Sequence, residues 1–401
     1  MASGLLTSLA QPVPNGGKIL LSVLDGLGGL QDPATGKSEM ETARLPNLDA
    51  LAARSSLGLA DPVAPGITPG SGPGHLGLFG YDPLTEVIGR GALSAAGVNF
   101  PLKRGDVAAR ANFATLDTAG RVTDRRAGRI PTEVCESRCG LLKGIPGVTV
   151  VAEKDHRAVV VFHSAKGKGL HPDVTDTDPQ TTGVAPLACK ARSPKAAALA
   201  KRVNAFVAEA RQRLKSFPQA NGLLLRGFDV QPDLASLESL YGLKASALAS
   251  YPMYKGLARL AGMDIVEGLA DFQAQLAALP AALQRSDFVF LHYKATDSAG
   301  EDADFTKKVR ALEAYDAAVP TLLKAGADVL VVTGDHSTPA VMGTHSWHPV
   351  PYLLHATHCR TEGTAGFSER ACARGALGRF PLKEGMALML AHAGRLAKYG
   401  A

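Results

Sequence analysis

Ser71 lies in "PGITPGSGPGHLGLFGYDP", residues 65–83, with glycine and proline on both sides. Proline fixes φ and glycine permits positive φ and close backbone approach, so together they shape a tight turn able to hold one hydroxyl in place. The apolar segment 75–79 is expected to open a buried helix whose first N–H groups point back at the serine, the outline of an anion site. Alone, such a stretch reads more simply as a surface loop, and only partners elsewhere in the chain change that.

Those partners are carboxylates and imidazoles at the ends of apolar runs. Asp25 ends the run in "KILLSVLDGLGG", Asp297 follows "DFVFLHY" with Glu301 four residues on, and Asp335 and His336 end "ADVLVVTGDH". "THSWHPVP" adds His345 and His348. Short apolar runs that stop at a polar residue read as buried strands, and ligands of open α/β sheets bind at the carboxyl ends of such strands. Each residue singly has a plainer account as an Asx turn, a helix cap or a solvated charge. Together they suit two divalent cations, one lowering the pKa of Ser71 and the other holding a phosphoryl oxygen, the arrangement for in-line displacement.

The elements that must position these residues are also visible. Between the last two strands, Phe305, Val309, Leu312, Tyr315 and Val319 recur at helical spacing with charges opposite, which makes a parallel crossover unit. "SPKAAALAKRVNAFVAEARQRLKSF" predicts an amphipathic helix and "NGLLLRG" a strand, both expected in the same core. Residues 99–187 differ, with β-rich runs such as "VAARANFATLD" and "HRAVVVFHS" between basic and Gly/Asp turns. The expected organisation is an α/β core at 1–98 and 188–401, its mostly parallel sheet flanked by helices, with a smaller α+β domain inserted at 99–187. "KGKGLHPDVTDTDPQTTG" is the expected crossing back.

Composition narrows the function. The 401 residues are 46% hydrophobic, no apolar run is long enough to span a bilayer, and the start has no signal-peptide pattern, so a cytoplasmic protein without a membrane partner is expected. Five cysteines without a repeated CxxC spacing argue against disulfides and structural zinc. A net charge of +6 spread along a chain with 5% aromatic residues fits a small anion better than nucleic acid. Gln31 breaks both the dinucleotide fingerprint and the phosphate-loop spacing, and Pro69 and Pro73 exclude a nucleophile elbow at Ser71.

"VLDGLGG", "PGSGPGHLGLFGYDP", "GRGALSAAGVNF", "ARANFATLDTAGRVTDRRAGRI", "DTDP", "KATDSAGEDADFTKKV", "TGDHSTP" and "HSWHPVP", in this order, resemble the archaeal-type cofactor-independent phosphoglycerate mutases of the alkaline phosphatase superfamily. The resemblance implies an alkaline-phosphatase-like core and interconversion of 3-phosphoglycerate and 2-phosphoglycerate through a phosphoserine, without 2,3-bisphosphoglycerate. It implies Ser71 as nucleophile, Asp25, Ser71, Asp335 and His336 around one metal, and Asp297 and His345 on the other. Glu301 departs from the histidine common at its position, and a carboxylate there favours Mn²⁺ or Mg²⁺ over Zn²⁺; Mn²⁺ is expected, with Co²⁺ a further candidate.

A mutase must also keep glycerate bound between transfers, which calls for arginine forks on its carboxylate and phosphate. Arg125, Arg126 and Arg129 of "DRRAGR" and His156 and Arg157 of "DHR" are the expected clamp in the insert. Arg226 and Lys255 are expected in the core, neutralising the transferring phosphoryl group. The expected partner is a small phosphoglycerate, with the chain a monomer or small homo-oligomer. The competing readings are another phosphomutase or metal-dependent phosphatase of the superfamily, and a basic nucleic-acid binder whose retention would be salt-sensitive and metal-independent.

Overall fold

The computed structural model describes residues 4–13, 16–165, 169–361 and 366–400; residues 166–168, within the expected crossing segment, lie outside it, as do residues 1–3 and 14–15 of the N-terminal stretch. The described chain divides into two compact units.

The first unit comprises Met1–Val87, Leu234–Ser250 and Ala261–Ala401. Its centre is the strand Ile19–Leu24, buried at all six positions, as an interior strand covered on both faces must be. Phe288–Tyr293 and Val329–Thr333 pair with it in parallel on either side. The complete sheet runs Gly378–Pro381, Ser56–Asp61, Val350–Ala356, Val329–Thr333, Ile19–Leu24, Phe288–Tyr293, Ala245–Leu248, Asp264–Ile265. Only Val350–Ala356 is antiparallel to its neighbours. Helices Phe272–Arg285 and Phe305–Asp316 contribute Leu276, Leu279, Leu312 and Tyr315 to a core shared with Leu20, Leu24, Val289 and Leu330. The one hydroxyl inside the central strand, on Ser22, meets Tyr315 Oη at 2.6 Å, so the buried polar pair is satisfied.

The second unit comprises Ile88–Asp233 and Tyr251–Leu260. Its sheet is antiparallel throughout: Val107–Leu116 pairs with Val122–Asp124, Arg157–Phe162 and Gly222–Asp229, and Arg157–Phe162 pairs in turn with Val148–Lys154.

This unit is larger than the insert expected at 99–187. The amphipathic helix, observed as Ala197–Leu214, and the following strand, Gly222–Asp229, belong here and not to the parallel core. Leu199, Val203, Phe206, Ala210 and Leu214 form the helix's apolar stripe and share one core with Phe113, Val160, Phe162, Leu223 and Leu225. Helical periodicity requires that such a stripe be buried, but it does not say against which sheet. Arg226 and Lys255, expected in the core, are therefore in the second unit. Lys255 is carried there by the helix Pro252–Leu260, which packs on Arg90–Gly97 so closely that a Cβ on Gly256 would lie 2.5 Å from Leu93 O.

Candidate active site

Ser71 is the first residue of a helix, Ser71–Leu78, that begins four residues earlier than its apolar content implies. Gly70 takes the N-cap position without a side-chain cap, and the first-turn N–H groups have no intrahelical acceptor. Glycine at 74 permits the helix to press against the loop after Val329–Thr333, because a Cβ there would fall 2.1 Å from Asp335 O. That contact brings Ser71 Oγ to 3.3 Å from His336 Nε2.

Around this hydroxyl, Asp25, Asp335 and His336 are fully buried and place their ligand atoms within 4.8 Å of one another. His336 Nε2 stands 3.4 Å from Asp25 Oδ1 and 3.2 Å from Asp335 Oδ2. Its tautomer follows from its neighbours. Thr338 Oγ1 donates its hydrogen to Asp297 Oδ1 at 2.7 Å, so it accepts from His336 Nδ1 at 2.9 Å. The Nε2 lone pair is then directed at the carboxylates and Ser71.

Asp297, His336 and His345 make a second such group. Asp297 does not end a strand: Phe288–Tyr293 stops earlier, and Asp297 occupies the first turn of the helix Ala295–Glu301. His345 donates from Nδ1 to Pro69 O at 2.9 Å, which turns Nε2 towards Asp297 Oδ1 at 3.6 Å. The rings of His336 and His345 stack with centroids 3.6 Å apart. Glu301 is at the rim, 57% exposed, with Oε1 3.8 Å from His345 Nε2. His348 belongs to neither group; it bonds Ser346 Oγ at 3.0 Å and stacks on Trp347.

The donor set fits divalent cations. Asp25 Oδ1 and Asp335 Oδ2 are buried oxygens without a hydrogen-bond partner, an arrangement that is costly unless a cation answers it. Burial would raise the Asp25 carboxyl, but the Lys294 ammonium and His292 outweigh that and hold it well below the carboxylate range. Asp335 is likewise lowered, by His336 and His75 against burial and the Asp25 charge.

Four residues that support the site were not singled out by type or spacing. His75 donates from Nδ1 to Ser71 O at 2.9 Å and lies 3.2 Å from Asp335 Oδ2, while His292 Nε2 is 3.2 Å from Asp25 Oδ2. Lys294 Nζ donates to Asp25 Oδ2 at 3.0 Å and also to Asp297 Oδ2. Lys308, expected on the charged face of its helix, is fully buried, and its ammonium donates to Gly26 O, Gly28 O and Thr338 O at 3.0, 3.0 and 2.8 Å. It thereby ties the turn after Asp25 to the turn after His336.

In the second unit, Arg125 spends its fork on Asp178, at 3.0 and 2.8 Å. Arg126 and Arg129 are exposed, on a loop pinned by Asp124 through Arg126 N and Gly128 N at 2.7 and 2.6 Å. Arg157 hydrogen-bonds Tyr251 Oη. His156 is buried, and burial together with the charges of Arg157, Arg126, Arg110 and Arg129 pushes it down to about 4. Among the described residues no helix is long and apolar enough to cross a membrane.

Comparison with known proteins places the chain in a family. Residues 52–220 match the family model described as 2,3-bisphosphoglycerate-independent phosphoglycerate mutase. A Thermus thermophilus protein named "probable 2,3-bisphosphoglycerate-independent phosphoglycerate mutase" is 50% identical over 99% of both chains, and a Deinococcus radiodurans protein of the same name is 48% identical over 96% of both. The solved cofactor-independent phosphoglycerate mutase from Thermoplasma acidophilum is 27% identical, covers 94% of this chain and all of its own, and superposes with a TM-score of 0.68. A solved Pyrococcus horikoshii protein, 30% identical over 96% of this chain and all of its own, reaches 0.82. The chain belongs to the 2,3-bisphosphoglycerate-independent phosphoglycerate mutases, a family of isomerases.

Proposed function

We propose that this chain interconverts 3-phosphoglycerate and 2-phosphoglycerate through a phosphoserine at Ser71. The observation that carries the reading is the Ser71 hydroxyl at 3.3 Å from His336 Nε2, beside two buried carboxylate oxygens that have no hydrogen-bond partner.

Asp25, Asp335, His336 and Ser71 would hold one divalent ion, and Asp297, His345 and Glu301 the other. When bound, the two ions supply Lewis acidity at the serine oxygen and the phosphoryl group. The oxygen-rich second set favours Mn²⁺. The chain's own residues set the geometry. The close approach at Gly74 fixes the Ser71 helix start, and Thr338 holds His336 in the tautomer that faces Ser71.

In the first transfer the Ser71 Oγ–P bond forms as the bond from phosphorus to the 3-oxygen breaks, and the proton lost by the Ser71 hydroxyl goes to that oxygen. In the second, the 2-oxygen takes the phosphoryl group as the Oγ–P bond breaks, and the proton of the 2-hydroxyl returns to Ser71 Oγ, so atoms and charge balance over the cycle. Water must be kept out meanwhile, and Arg126, Arg129, His156 and Arg157 hold the glycerate; Arg226 and Lys255 neutralise the phosphoryl charge. We place the activity in the cytoplasm, within the glycolytic and gluconeogenic interconversion of phosphoglycerates. The chain would work as a monomer or small homo-oligomer.

The test is conversion of 3-phosphoglycerate by wild type and Ser71→Ala, each after chelation and after Mn²⁺ is restored. Wild type should regain activity and carry phosphate on the Ser71 peptide after brief exposure to substrate. Ser71→Ala should be folded and inactive. Full activity in Ser71→Ala would remove the phosphoserine from the mechanism, and turnover insensitive to chelation would remove the metals.

A further inference from the structure

The edge of a β-sheet presents a row of backbone donors and acceptors that can pair with another chain, and folded proteins blunt such edges. The first unit does so by length: its outermost strands are Asp264–Ile265, of two residues, and Gly378–Pro381, of four, ending in proline. One side of the second unit's sheet is closed by its own chain. Along Gly222–Asp229, Thr177 N donates to Leu225 O at 2.9 Å, Leu225 N to Thr177 Oγ1 at 2.8 Å and Gly227 N to Asp176 Oδ1 at 2.9 Å. Along Val122–Asp124, Val122 N donates to Val184 O and Gly183 N to Val122 O, both at 2.8 Å.

The other side ends on Val148–Lys154, "VTVVAEK", and among the described residues no further strand pairs with it. This strand has seven residues without proline or glycine, and its first six positions are half-buried. Two hydrogen bonds fix which of its groups point outward. His163 N donates to Gly147 O at 2.9 Å, and Phe113 N to His156 O at 2.8 Å. Bonding alternates along an antiparallel pair, so the odd-numbered residues of Arg157–Phe162 bond Val148–Lys154 and the even-numbered ones bond Val107–Leu116. The backbone groups of Thr149 and Val151 therefore face into the sheet. The N–H and C=O groups of Val150 and Ala152 face away from it, and among the described residues they have no hydrogen-bond partner.

We propose that this edge pairs with the same edge of a second copy of the chain, antiparallel about a two-fold axis at Val151. An isologous contact sets the strand against itself, and one register uses all of its free groups. With Val151 opposite Val151 of the second copy, Val150 and Ala152 of one chain face Ala152 and Val150 of the other, and each pair exchanges both hydrogen bonds. Centring on Val150 instead sets Ala152 against Val148, whose N–H is already taken by Ile145 O at 3.2 Å. Centring on Ala152 sets Val150 against Lys154, where the ladder to Arg157 is irregular. The register centred on Val151 also opposes Thr149 to Glu153 and Val148 to Lys154, so no like charges meet. The contact joins two antiparallel sheets into one. It involves no residue at Ser71 and stands or falls apart from the mutase reading.

The test is sedimentation equilibrium of the full-length chain over a range of concentrations, for wild type, Val151→Lys, Val151→Glu and Ala152→Pro. Wild type should show a reversible monomer–dimer equilibrium. A residue on the axis meets its own copy, so Val151→Lys and Val151→Glu should each weaken the dimer by at least about tenfold through opposed like charges. An equimolar mixture of the two should recover it as a heterodimer. Proline is tolerated where a strand N–H faces solvent, so Ala152→Pro should stay folded by circular dichroism and be monomeric, which carries the test should the charged variants fail to fold. A wild type that is monomeric at every concentration, or a dimer that all three variants retain, would overturn the edge as an interface. Folded, monomeric charged variants whose mixture also stays monomeric would overturn the two-fold register at Val151.

Discussion

The two units handle charge in opposite ways. In the first, Asp25, Asp297 and Asp335 are buried among cationic and imidazole groups: Lys294 bridges Asp25 and Asp297, His75 and His336 lie 3.2 Å from Asp335, and His292 lies 3.2 Å from Asp25. In the second, the Nε atoms of Arg110 and Arg226 are buried without an acceptor, with Glu153 and Asp178 3.9 and 4.0 Å from these arginines. A site that offsets most of its own charge can hold its geometry before substrate arrives. One that leaves its charge unmet gains order when an anion binds, so the first unit reads as preorganised chemistry and the second as recognition.

The comparison breaks most severely if the first site tolerates loss of a carboxylate. Asp335→Ala should reduce bound metal by about one ion per chain and cut turnover by about a thousandfold or more, as removal of a group acting directly on the reacting atoms does. Metal analysis after dialysis, alongside the mutase assay, checks both; unchanged metal content would refute the assignment.

Lys308→Met tests whether the preorganisation lies in the turns. Three backbone carbonyls would lose their donor, and urea unfolding should show a loss of roughly 2–4 kcal/mol. A variant as stable as wild type would mean that these turns hold without the ammonium.

The pH dependence of the second unit sharpens the contrast. His156 is held at about 4, below its ordinary value near 6.5, so the unfolded chain takes up this proton first. The corresponding stability is fully present above pH 6.5 and is lost as pH falls towards 4, amounting to roughly 3 kcal/mol at most. Urea midpoints at pH 7 and pH 4.5 should converge in His156→Gln relative to wild type; an identical pH response in the two proteins would exclude His156 as the cause.

The smallest effect concerns partitioning. Arg126→Met and Arg129→Met should leave transfer onto Ser71 largely intact and raise the ratio of inorganic phosphate to 2-phosphoglycerate by about tenfold, through loss of one charged contact. Both products are measured in one reaction, and an unchanged ratio in both variants would remove these two arginines from the clamp.

Asp25, Asp335 and His336 are legible in the sequence because each follows an apolar run too short for anything but a buried strand. The Ser71 turn is legible from its glycine and proline content, although the helix starts at the serine itself. His75 and His292 give no local signal: His75 matters because its helix presses against Asp335, and His292 because Phe288–Tyr293 lies beside Ile19–Leu24, a pairing across about 270 residues that no motif announces. Lys308 misleads, since a lysine among helical charges reads as solvated until a turn closes over it. The division between units is hard to read for a similar reason: the stripe on Ala197–Leu214 demands a partner sheet without naming one.

That long-range pairing also governs how the protein is made. Ile19–Leu24 leaves the ribosome well before both of its partner strands, Phe288–Tyr293 and Val329–Thr333. At about 5–20 residues per second, the earlier partner follows after roughly 15–50 s. The antiparallel sheet and the helix Ala197–Leu214 are complete in sequence by residue 229, so they can collapse on the nascent chain while the central, fully buried strand of the first unit is still unpaired. Nascent-chain survival therefore depends on shielding one six-residue segment, which makes it the expected point of chaperone capture during synthesis.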